Sequence, residues 1–348
     1  MTDAFTARAP GRVNLIGEHT DYNGGMVLPA ALAVGLEVAL VPRPDSAVAV
    51  ASNGYDAPAI RDLADDAVGD WADPCVGALR EANALGLLRG GATLEVQSTI
   101  PQGSGLSSSA ALIVAVLKAA REAAGAGPDD VELAVAARRV ENLYMGVPCG
   151  IMDQMAVALA TPGTAMALDT RTLSCELVAF PRGYEMVVVH SGLTRKLTDG
   201  RYAARKAECD AAKRHFGTED LCLLDRALVE AAELDDIPKR RTLHCLSEHA
   251  RVQKAVAAMR AGDMASFGTL MNASHASMRD LFEMSLPEID ALVESSLKLG
   301  ALGARLTGGG FGGCIVACVE TERRETWLKE LSARHARSRF IDAVGAEP

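Results

Sequence analysis

Leu32, Val34, Leu36, Val38 and Leu40 alternate with Ala33, Gly35, Glu37 and Ala39, a two-residue period that predicts a strand with one strongly apolar face. Shorter stretches of the same kind predict strands at Val48–Ala51, Leu94–Ser98, Ala165–Leu168, Met186–Val189 and Ile315–Val319. A helical period takes over in Trp71–Leu88, Ser108–Ala124, Val131–Tyr144, Tyr202–Phe216, Leu243–Arg260, Met264–Phe282 and Pro287–Leu299. Strands gather before residue 190, helices fill 200 to 300, and a strand, a helix and a strand close the chain. This segregation predicts an α+β fold.

At 348 residues the chain is too long for one core, since single cores stop growing near about 250 residues. Two domains are expected, 1–180 and 181–348, parted near Pro181–Gly183. Hydrophobic residues make up 49% and charged residues 23%, which excludes a mainly disordered, collagen-like or coiled-coil chain. Lys and Arg number 35 against 45 Asp and Glu, a net charge of −10, so nucleic acid and anionic membrane are poor partners and a small molecule is the better one. The eight cysteines show no CxxC pair and read as reduced thiols. No signal peptide or 18-residue apolar run is visible, so the expected location is the cytoplasm.

Four segments carry chemistry. The first, Arg8 to Gly25, crowds Glu18, Asp21, His19, Asn14 and Asn23 into a turn-rich stretch. An exposed polar loop would explain it, but so would a grip on adjacent hydroxyl groups, for which carboxylates, amides and imidazole supply the donors and acceptors. The second, Pro101-Gln102-Gly103-Ser104-Gly105-Leu106-Ser107-Ser108-Ser109-Ala110-Ala111, follows a strand and opens a helix. Small residues there let a phosphate approach free amides at the positive end of the helix. A dinucleotide fingerprint fits less well, because Ser108 stands where its third Gly or Ala belongs, and no G-x-x-x-x-G-K-[ST] occurs.

The third, Leu306 to Cys314, holds five glycines in six residues, a density that a close backbone approach to a ligand or to the second segment would explain. In the fourth, Glu141 to Gln154, Pro148 ends one helix and Asp153 stands near the start of the next. An Asp so placed stays ionised and can accept or orient a hydroxyl proton, while Glu141 could hold a metal.

Together these segments resemble the GHMP family of small-molecule kinases, and Gly11 to Asn23 resembles that family's galactokinase signature. Gly103–Ala111, Gly150–Gln154 and Thr307–Cys314 follow in the family's order and spacing, so the resemblance runs from Ala9 to about Val319. It implies an N-terminal domain like the second domain of ribosomal protein S5 and a C-terminal ferredoxin-like domain. It also implies transfer of phosphate from ATP to the C1 hydroxyl of an α-hexose, with galactose expected, in a monomer or dimer. By the same resemblance Asp153 is the catalytic base or orienting carboxylate and Arg12 stabilises charge. Glu18, His19, Thr20, Asp21, Gly150, Asp153 and Tyr202 fall on sugar-binding positions. Gly103, Ser104, Gly105, Leu106, Ser107, Ser108 and Ser109 fall on the ATP phosphate loop. Ser109 and Glu141 match Mg²⁺ ligands, with Ser107 and Ser108 as neighbouring candidates for the serine.

Two departures touch the sugar. His190-Ser191-Gly192 stands where the family usually has Asn-Ser-Asn, and Gly200-Arg201-Tyr202 where Ser-Glu-Tyr is usual. Arg201 in place of an acid would suit an acidic sugar such as galacturonate, and arabinose or N-acetylgalactosamine kinases stay open as alternatives. A sugar-sensing regulator resembling the galactose co-inducers of yeast is a further alternative, although such sensors resemble kinases with a shortened serine loop. Here Ser107 to Ala111 is complete and Asp153 is present.

Overall fold

The computed structural model describes residues 4–193 and 200–345. In chain order the elements are β1 (Phe5–Asn14), β2 (Met26–Val27), β3 (Pro29–Pro42), β4 (Ala47–Ser52), β5 (Ala59–Asp62), α1 (Asp73–Ala84), β6 (Ala92–Ser98), α2 (Ser108–Ala124), α3 (Asp130–Arg139), α4 (Met152–Leu159), β7 (Thr164–Asp169) and β8 (Cys175–Ala179). There follow β9 (Tyr184–His190), α5 (Arg201–Phe216), α6 (Arg226–Ala231), α7 (Asp236–Arg260), α8 (Met264–Asp280), α9 (Pro287–Lys298), β10 (Gly303–Leu306), β11 (Cys314–Glu320), α10 (Arg324–Arg334) and β12 (Arg339–Gly345). The α+β expectation holds.

Contacts divide the chain into two compact units, one of residues 1–12, 33–101 and 107–159, the other of 13–32, 102–106 and 160–348. In the first, β3 pairs antiparallel with β6, β6 lies parallel to β4, and β5 closes the edge on β4. Leu36, Val38 and Leu40 point into the core as their alternation requires, while Val34 is only half-buried. Helix α2 has the bounds read from the sequence. It starts after Ser107 and stops at Gly125, whose φ of 73° suits glycine. Helix α3 begins on a capping box in which the Asp129 side chain accepts from the Glu132 amide and the Glu132 side chain from the Asp129 amide.

The second unit holds an antiparallel sheet in the order β10, β11, β9, β12. Its core gathers Val187, Val189, Phe282, Leu292, Leu306, Ile315 and Trp327. Helix α7 begins at Asp236 rather than at Leu243, because Pro238 falls in its first turn, where a missing amide hydrogen costs nothing. Helix α7 buries Arg241, Thr242, His244 and Glu248 alongside the apolar Cys245, Val252, Ala255, Val256 and Met259. The cysteines are free thiols. No helix among the described residues is long and apolar enough to cross a membrane.

Candidate active site

In the first unit, Arg12 near the end of β1 is 4% exposed and grips Asp153 with two hydrogen bonds, Nε to Oδ1 and Nη2 to Oδ2, both 2.7 Å. Asp153 lies in the first turn of α4, where unpaired amides favour a negative charge. The Ser107 hydroxyl donates to its Oδ2 at 2.5 Å. The carboxylate is thus oriented from two sides while the side chain stays 31% exposed. Gly150, two residues upstream of that helix, is buried.

Beside this group, α3 runs on into a π-helical turn, Val140–Tyr144, which carries Glu141. Such turns add a residue to the helix and re-aim a side chain, often at functional sites. Glu141 is 6% exposed. Its Oε1 accepts from the Ser109 hydroxyl at 2.6 Å, and the Gln154 amide donates to Oε2. Burial raises its pKa, opposed by the Ser109 hydrogen bond and reinforced by the charge of Asp153. Among the described residues no cationic side chain forms an ion pair with it. A buried carboxylate next to a hydroxyl is a pair of hard oxygen donors of the kind that hold Mg²⁺, which takes its other ligands from phosphates and water. No cluster of three or more His, Cys, Asp or Glu suited to a metal occurs among the described residues.

The serine-rich segment is left-handed at Gly103, Gly105 and Ser107, with φ of 67°, 75° and 63°. These turns deliver the chain to α2, whose opening amides lack intrahelical acceptors. Ser108 is exposed and Ser109 half-exposed there, whereas Ser104 and Leu106 are buried. In the second unit, residues 102–106 touch the glycine-rich segment. The Cys314 thiol lies 3.3 Å from the Ser104 carbonyl, and a Cβ on Gly313 would sit 3.3 Å from the same oxygen. The glycines therefore serve a close approach between the two segments, as their density suggested.

The second unit also forms the signature loop. His19, left-handed at φ 62°, stacks on Phe282 at 4.4 Å and lies 5.3 Å from the ring of Tyr202, the second residue of α5. Its Nδ1 is 2.6 Å from the Tyr22 hydroxyl. Asp21 is half-buried next to it. Glu18 is 2% exposed, and its carboxylate accepts from Asn14 Nδ2 at 2.9 Å and from the Gly308 amide at 2.8 Å. Thr20 is fully buried, with its hydroxyl directed at the carbonyls of Gly17 and Met26. It shapes the loop from inside.

Both departures near the sugar positions have structural partners. His190 Nδ1 accepts from the Gly192 amide at 3.0 Å, and burial lowers its pKa. The Arg201 guanidinium lies over the Phe311 ring at 4.5 Å. Sequence reading missed Arg305, Glu248, His244 and Gln154. Arg305 had one signal, a lone charge in the otherwise small and apolar run Gly303–Leu306.

Comparison with known proteins matches residues 73–161 to the GHMP kinases N terminal domain, 255–336 to the GHMP kinases C terminal domain, and 2–42 to the galactokinase galactose-binding signature. Methanococcus jannaschii mevalonate kinase, 18% identical, shares the fold with a TM-score of 0.74 over 99% of both chains. Streptococcus pneumoniae phosphomevalonate kinase with phosphomevalonate and AMPPNP, 14% identical, does so at 0.70 over 98% of this chain and 99% of that one. These likenesses define the class, a GHMP kinase fold. The structure of Lactococcus lactis galactokinase complexed with galactose is nearer, with 32% identity and a TM-score of 0.93 over 99% of this chain and 94% of that one. The chain belongs to the galactokinase family of the GHMP kinases.

Proposed function

We propose that the protein transfers the terminal phosphoryl group of ATP to the C1 hydroxyl of α-D-galactose, giving ADP and galactose 1-phosphate. The observation that carries the chemistry is the Asp153 carboxylate, held by Arg12 and Ser107 yet a third exposed. The new bond joins the C1 oxygen to phosphorus, the bond from phosphorus to the ADP oxygen breaks, and the hydroxyl proton passes to Asp153 or, oriented by it, to water. Such transfer depends on positioning and charge neutralisation more than on covalent catalysis. Arg12 supplies a fixed positive charge beside Asp153, and the amides and hydroxyls of Gly103 to Ser109 cradle the phosphates. Ser109 and Glu141 would hold Mg²⁺, which when bound offsets negative charge on the phosphate oxygens.

His19, Asp21, Gly150, Asp153 and Tyr202 are the proposed sugar contacts. Glu18 joins them as a buried carboxylate oriented by Asn14 and the Gly308 amide. Thr20 acts by shaping the loop. Arg201, engaged on the Phe311 ring, supports a neutral hexose over a uronic acid. The separate family matches at 73–161 and 255–336 support two domains, while the compact units group 13–32, 102–106 and 160–180 with the C-terminal part rather than parting the chain at 180. Free thiols throughout support a cytoplasmic location. An ADP-release assay across galactose, galacturonate, arabinose and N-acetylgalactosamine tests the substrate: turnover confined to one of the last three would replace galactose. Sugar binding without ADP formation would instead favour the sensor.

A further inference from the structure

The loop that carries Glu18 and His19 is held in a costly shape. Gly17 has φ 108° and His19, which has a side chain, φ 62°, a conformation that persists only where the surroundings over-determine it. Helix α7 does so from one face. Glu248 Oε1 accepts from the Gly17 amide at 2.9 Å. His244 Nε2 lies 3.1 Å from the Glu18 carbonyl, which can only accept, so Nε2 carries the proton and Nδ1 accepts from Ser277 at 2.8 Å. His249 Nδ1 accepts from the Met26 amide at 3.0 Å, where the loop returns to β2.

A chain of alternating charges runs behind the loop. Arg305, with a fully buried side chain, places Nη2 3.4 Å from Glu18 Oε1 and 3.9 Å from Glu248 Oε1, while its Nη1 donates to the Asn14 carbonyl at 3.2 Å. Glu248 in turn accepts from Arg251 at 2.7 Å and from Ser274 at 2.6 Å. Its side chain is fully buried. A buried ion pair gives little stability that apolar residues would not give as well, whereas these groups end on the backbone and carboxylate of the loop.

We propose that Glu248 and Arg305 are positioning residues for sugar affinity, setting the Gly17 backbone and the Glu18 carboxylate from behind. The proposal deepens the sugar-kinase reading and rests on it for the ligand. The test uses Ser274→Ala, which removes one hydrogen bond to Glu248 Oε1 and leaves every charge paired, alongside Glu248→Gln. Galactose affinity is read by calorimetry, KM for galactose and ATP separately, and amide exchange of the loop against that of α2.

The galactose Kd and KM should rise about tenfold in Glu248→Gln and less in Ser274→Ala. The ATP KM and kcat at saturating galactose should stay within about twofold, and loop amides should exchange faster while those of α2 do not. Unchanged affinity and loop exchange in the folded variants would overturn the proposal. If Glu248→Gln does not fold, Ser274→Ala decides. A wild-type protein that phosphorylates no sugar would refute the kinase reading instead, and loop exchange would still decide the positioning.

Discussion

The Arg12 guanidinium and the Asp153 carboxylate meet edge to edge, two nitrogens on two oxygens at 2.7 Å. This fork fixes the carboxylate plane as a single contact could not. Asp153→Asn should therefore lower kcat by about 10²–10⁴-fold while nucleotide binding, measured by calorimetry, stays near wild type. Arg12→Lys keeps the charge and loses the fork, so kcat should fall with little change in ATP affinity. Full turnover in the asparagine variant would remove Asp153 from its proposed role.

Glu141 is expected to act through the metal. Glu141→Gln retains shape and removes the negative charge that Mg²⁺ requires, so the concentration of Mg²⁺ giving half-maximal rate should rise about tenfold or more. Ser109→Ala should shift it in the same direction by less. A magnesium titration with rates at saturating ATP and galactose checks both.

Stability should fall in mild acid because of two buried histidines. Burial lowers the pKa of His244 to about 4 and that of His275 to about 4, the latter against the charge of Asp290. Unfolded, each titrates near its ordinary value of about 6.5, so between pH 6.5 and 4 the unfolded chain binds more protons and stability drops as pH falls. Each histidine should contribute on the order of 1–3 kcal/mol over that window. Glu248 acts in the same direction at lower pH. Burial raises its pKa, but Arg251 and Arg305 outweigh that and hold it at about 2, so its contribution is lost below about pH 4.5. Thermal unfolding from pH 7.5 to 4.5 should show Tm falling below about 6.5, with a shallower fall in His275→Gln.

Arg201 offers a check on sugar choice. With its guanidinium on Phe311, Arg201→Gln should loosen the glycine-rich segment and raise the KM for galactose by a few-fold. It should leave galacturonate a poor substrate. Loss of strong galacturonate activity in that variant would mean that Arg201 reads a carboxylate.

The sequence shows most where the signal is local. Helix α2 is bounded by Ser107 and Gly125, and the strand around Leu36, Val38 and Leu40 follows its alternation. The chemistry-bearing segments stand out by density, and resemblance joined Arg12 to Asp153, which are 141 residues apart. Long-range polar support was not legible. Glu248 meets Gly17 across 231 positions, and its surroundings on α7, a mostly polar helix, look like a solvated face until the fold buries them. The π-helical turn at Glu141 was likewise hidden, because one extra residue in a turn leaves the apolar period almost intact.

The most direct measurement is phosphorus NMR of the purified protein incubated with ATP, Mg²⁺ and α-D-galactose, set beside the Asp153→Asn variant. Galactose 1-phosphate should accumulate in step with ADP in the first sample and remain undetected in the second. ADP formed without the sugar phosphate, or equal product in both samples, would contradict the account.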